Sequence, residues 1–164
     1  MADLTILEDK LAEVLGLAQA AQLATKKVAT LARDEDESEL VDLLEKMGKQ
    51  AAEIEQRCDA VAGSLDGKKT AITEKARETK GEVTEFMKTY LEDAEALDGL
   101  EFLSMAEAGE KAHWEILATL NEKANDEDVA SLVEFALPIQ NHHVDAVREH
   151  SLRLAADEDP SEPA

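Results

Sequence analysis

Apolar residues recur at three- and four-residue spacing along most of the chain, the period of helices that bury one stripe. Leu4, Leu7, Leu11, Val14, Leu15, Ala18, Gln22, Thr25, Val28 and Ala32 trace one stripe and predict a helix over 3–33. The run RDEDES (33–38) interrupts it, and Asp or Ser there suits the start of a second helix. Leu40, Leu43, Leu44, Met47, Ala51, Ile54, Cys58 and Val61 predict that helix over 39–65. GSLDGKK (63–69) is the clearest break.

Beyond the break, apolar positions thin to Ile72, Ala76, Val83, Phe86, Met87 and Tyr90. They predict a weaker, partly exposed crossover helix over 68–92, with Gly81 as a kink. A mobile linker is the alternative for so polar a stretch. Two more stripes predict helices over 94–123 and 129–156, joined at ANDED (124–128). Pro138 removes one backbone hydrogen bond inside the last helix and predicts a bend. The tail over 157–164 (DEDPSEPA) reads as disordered. The expected fold is all-α: one domain over 1–156, an antiparallel four-helix bundle with a helical crossover between the second and third core helices.

Composition sharpens this. Aromatics are 3% of the 164 residues, so Leu, Ala and Val must build the core. The net charge of -21 repels phosphate backbones and anionic lipid, which argues against nucleic-acid and membrane partners. It fits a solvated acidic surface, cation attraction or a high-salt cytoplasm. One cysteine, Cys58, allows no intramolecular disulfide and no cysteine-based cluster; it reads as a small core residue. No basic leader and no long apolar run are present, so the expectation is a cytoplasmic protein. Nucleotide-binding glycine loops and organic-cofactor motifs are also missing.

The stripes contain residues that do not belong in an apolar core. The third helix runs Leu100, Leu103, Glu107, Glu110, Trp114, Leu117, Asn121, with His113 flanking; the fourth carries Gln140, His143 and His150. Counting outward from Asn125, Glu107 and His143 are each 18 positions away, and Glu110 and Gln140 each 15. In a hairpin these fall at one height. His150 matches Leu100, farther along. On the first hairpin Gln22, on its stripe, and Gln50, at the edge of its own, share a height, and Glu8 borders the stripe. His142 points away from His143, because neighbours on a helix diverge by about 100°. Buried carboxylates need cations, shared protons or a metal. Glu and His on facing helices are a common way to hold iron or manganese. The candidate ligands are Glu107, Glu110, His113 and His143, with Gln140 and His150 as weaker ones.

The bundle with its crossover and EKAH (110–113) resemble a ferritin-like protein. The last hairpin is similar to bacterial stress-associated proteins of the YciE/YciF type. The resemblance implies a carboxylate-bridged di-iron or di-manganese centre, with oxidase or iron-storage activity. That pattern takes Glu-x-x-His from two helices and a Glu from each of two others. Here one such motif is present, Gln140 and His143 stand where the second would be, and the second helix stripe has neither acid nor histidine. A mononuclear site, a site shared across a homo-oligomer and a degenerate bundle all stay open. So do two functional readings: metal binding in iron handling or oxidative stress, and a non-enzymatic bundle in assembly or stress protection whose polar layer fixes register. A third placement turns Glu107 and Glu110 to solvent and buries Ala106, Ala108, Ala112 and Ile116.

Overall fold

The computed structural model describes residues 3–162. They form five helices: α1 (Ile6–Asp34), α2 (Ser38–Ser64), α3 (Lys69–Tyr90), α4 (Ala96–Ala124) and α5 (Glu127–Asp157). No strand occurs among the described residues. The structure is therefore an all-α helical bundle, and 68–92 is predominantly helical. No helix of the described residues is long and apolar enough to cross a membrane.

Local chemistry sets the helix ends. At the start of α1, Thr5 Oγ1 accepts from the Glu8 amide at 3.2 Å while Glu8 Oε2 accepts from the Thr5 amide at 2.7 Å. This reciprocal cap, with Lys68 Nζ 3.3 Å away, occupies Glu8. Asp36 takes a positive φ in the tight α1–α2 turn. The residue that precedes α2 is Glu37, which makes no side-chain cap, so the expected Asp or Ser cap is not formed. At the α4–α5 turn, Asn125 adopts the left-handed conformation, and Asp126 Oδ1 caps α5 through the Val129 amide at 3.0 Å. Asn121 clips this turn from below, bonding both the carbonyl and the amide of Asp126. Pro138 lies inside α5, which continues through it.

Packing contacts join α1 to α2, α1 to α4, α2 to α5 and α4 to α5, while α3 lies mainly along α1. Two glycines allow the closest approaches. A Cβ on Gly16 would run into the Ala76 carbonyl of α3, and one on Gly99 would meet Val28 Cγ1 at 2.7 Å. The apolar core comes in two parts. One gathers Leu11, Leu15, Ile54, Trp114, Leu117 and Leu132; the other gathers Val28, Leu40, Leu44, Leu100, Leu103 and Val147. Along α4 the break between them falls at Glu107 and Glu110, and along α5 at Gln140 and His143. A polar layer thus crosses the bundle near mid-height.

Candidate functional site

Glu107, Glu110, Gln140 and His143 are 1%, 4%, 1% and 2% exposed, so the stripe read from the sequence is the buried one. The alternative placement is overturned: Ala108, Ala112 and Ile116 lie at the surface. The reason is the register of Leu103, Trp114 and Leu117, whose burial on one face carries the two acids inward with them.

Hydrogen bonds tie this layer together across three helices. Gln140 Nε2 donates to Glu107 Oε2 at 2.6 Å and to the Glu107 carbonyl at 3.1 Å. His143 Nδ1 lies 3.4 Å from the same Glu107 Oε2. Its other nitrogen, Nε2, meets Gln50 Oε1 of α2 at 2.9 Å. With the Gln50 carbonyl oxygen facing Nε2, that nitrogen carries a proton.

Glu110 is the layer's second acid. Burial first, and the Glu107 charge second, hold its carboxyl well above the usual carboxylate range; the Trp114 indole nearby pulls weakly the other way. Trp114 Nε1 reaches no hydrogen-bond geometry with any group of the described residues. A Glu110 carboxyl held toward its neutral form reduces the charge buried in this nearly dry interior. On the α1 side a cavity of about 40 Å³ touches Glu107 and Glu110 and is otherwise walled by apolar groups such as Ala20, Ala24 and Val83. From this side α1 offers no donor. A cavity of about 680 Å³ opens at the α4–α5 turn beside Asn121 and Asp126, away from the layer.

Several expected members are elsewhere. His113 is half-buried and turned toward α1, with Nε2 3.5 Å from Glu13 Oε2, and burial lowers its basicity. Its position on the α4 surface, about 60° round the helix from Glu110 at 100° per residue, explains this. His150 spends Nδ1 on its own helix, 2.9 Å from the Ala146 carbonyl. Gln22 bonds Glu55 and the Ala18 carbonyl rather than sharing a layer with Gln50. Gln140 reaches Glu107, not Glu110. His142 is exposed. Gln50 is the member that sequence reasoning placed only at the edge. Cys58 is fully buried, and burial pushes its thiol up, so it is inert as a nucleophile.

As a metal site the donor set falls short. Among the described residues, no group of three or more His, Cys, Asp or Glu side chains is placed to hold a metal ion. Both nitrogens of His143 face protein oxygens, and the amide of Gln140 occupies Glu107. No protein-family model matches the chain, and neither a curated protein nor a solved structure does.

Proposed function

We propose that the chain is a ferritin-like protein in which α1, α2, α4 and α5 make an antiparallel four-helix core, α3 is the crossover, and the layer that holds metal in such folds serves instead to fix helix register. Its role is then non-enzymatic, in assembly or stress protection. The ring of contacts α1–α2–α5–α4 supports the arrangement. So does contact order: Arg33 meets Glu45 and Gln22 meets Glu55, while Glu37 meets Arg153 and Gln50 meets His143. The observation that carries the functional reading is His143, held between Gln50 and Glu107 with Gln140 on the same carboxylate. The Gln140 amide donates to Glu107 where a cation would otherwise sit, and the Gln50 carbonyl oxygen holds the imidazole. A buried polar set satisfied by its own neighbours specifies one alignment of helices, because any slip leaves a charge unpaired.

The competing reading assigns iron or manganese to Glu107, Glu110 and His143, and it draws on the burial of two acids and an imidazole in one layer. It requires Glu110 to release its proton and His143 to release one contact. Elemental analysis of protein purified without added metal separates the two, together with Mn(II) and Fe(II) titration followed by calorimetry. The register reading expects no stoichiometric metal and no saturable uptake. Metal at a fixed ratio that disappears in both Glu110→Ala and His143→Ala would overturn it and restore the metal-binding one.

A further inference from the structure

The stretch from Met105 to Leu117 is turned inside out relative to an ordinary surface helix. Its inner side carries Glu107 and Glu110, while its outer side exposes Met105 (47%), Gly109, Ala112 and Ile116 (45%). A Cβ on Gly109 would meet nothing within 4 Å, so the helix surface there is open. Phe86 and Tyr90 of α3 pack on the buried Phe102, one turn before Met105. Met105 and Ile116 are two of the seven large apolar side chains exposed among the described residues, and they share this face with the small Gly109 and Ala112. Scattered exposed apolar residues are ordinary, but a contiguous set marks an interface.

The face reads the same in both directions. Met105, Gly109, Ala112 and Ile116 are spaced four, three, four. A twofold axis between positions 110 and 111 lays Met105 on Ile116 of the partner subunit and Gly109 on Ala112 of the partner subunit. The same operation sets Asp98 against Lys123 of the partner subunit. Asp98 and Lys123 are both exposed, and at 100° per residue all six positions fall within about 60° of the helix circumference. Small residues at the centre let two helix axes approach, large ones at either side fill the diverging gap, and opposite charges close the ends. An isologous contact demands this self-complementarity, which a partner of unrelated shape does not.

Electrostatics favours the same occupant. Copies carrying -21 each repel and tolerate contact best where the surface is least charged. Between Met105 and Ile116, the exposed or half-exposed Lys111 and Glu115 lie 3.9 Å apart and offset each other, while the remaining acids are buried. We propose that this face of α4 is a dimer interface, covered by the same face of a second copy in antiparallel register.

Sedimentation equilibrium over the micromolar range tests it, with Ala112→Glu as the disrupting variant. Ala112 is exposed, so that substitution is expected to leave helix content unchanged by circular dichroism while converting dimer to monomer. Register is tested by oxidising Met105→Cys chains, Ile116→Cys chains and their mixture. Identical positions 11 residues out of register lie about 16 Å apart, so only the mixture is expected to cross-link. Cys58, being buried, contributes no background. A monomeric wild type, a dimer indifferent to Ala112→Glu, or cross-linking of Met105→Cys alone would overturn the proposal. So would a monomer that associates only with a different protein.

Discussion

Gln140 grips Glu107 twice, through its carboxylate at 2.6 Å and its own backbone carbonyl at 3.1 Å, with one amide nitrogen. A carboxyl side chain at this position has no hydrogen to give while ionised. Gln140→Glu is therefore expected to lose roughly 3 kcal/mol or more of stability, the scale of an uncompensated buried charge. The same change recreates Glu-x-x-His on α5. Denaturant melts with and without Mn(II) check both effects: the variant, unlike the wild type, is expected to regain stability when the metal is added.

His143 stands between an acid and an amide, and its two neighbours differ in what they lose without it. His143→Ala removes a buried imidazole, leaves Gln140 as the side chain bonded to Glu107, and is expected to cost about 2–5 kcal/mol. Gln50→Leu leaves only one imidazole nitrogen unpaired and is expected to cost about 1–3 kcal/mol. A double-mutant cycle on Gln50 and His143, read from urea midpoints, should show coupling of the same sign as the wild-type contact.

Glu110 makes the bundle pH-sensitive in a definite direction. Its folded-state carboxyl titrates well above the ordinary value of 4.5. Below that value the group is protonated in both folded and unfolded chains, and no penalty exists. As pH rises, the unfolded chain ionises first and is favoured, so this group removes stability up to its folded-state titration. Glu110→Gln keeps the shape without the titration. Its stability advantage over wild type is expected to be small near pH 4 and to grow through neutrality, measured by urea unfolding at matched salt.

Gly16 is where α3 seats against α1, and the Ala76 carbonyl leaves no room for a side chain. Gly16→Val is expected to cost roughly 1–3 kcal/mol as an overpacking change. Hydrogen exchange should report the loss chiefly in α3, with amides of α4 and α5 still protected.

Much of this architecture was legible in the periodicity of apolar positions, and the reasons are local. Leu100, Leu103, Trp114 and Leu117 share a face, so Glu107 and Glu110 had to share it too. Equal counts from Asn125 brought His143 to Glu107 because the turn there is short and tightly capped. Finer choices depended on angles that spacing does not resolve. His113 borders the stripe, and the approach of α1 supplied Glu13 as its neighbour. His150 bonds its own backbone, through the Ala146 carbonyl. Gln50 and Gln22 looked equivalent from their distances to the first turn, yet α5 lies against α2 and not α1, so only Gln50 meets the layer. Glu8 looked available until Thr5 and Lys68 engaged it.

Trp114 is the single tryptophan in the chain, fully buried and one turn along α4 from Glu110. The protein thus contains its own optical probe at the one place where its interior is polar. An indole beside a protonated acid and an indole beside an anion emit differently, so ordinary fluorescence is expected to follow the proton on Glu110 without any label. Every preparation can be graded for an intact interior before any other assay is attempted.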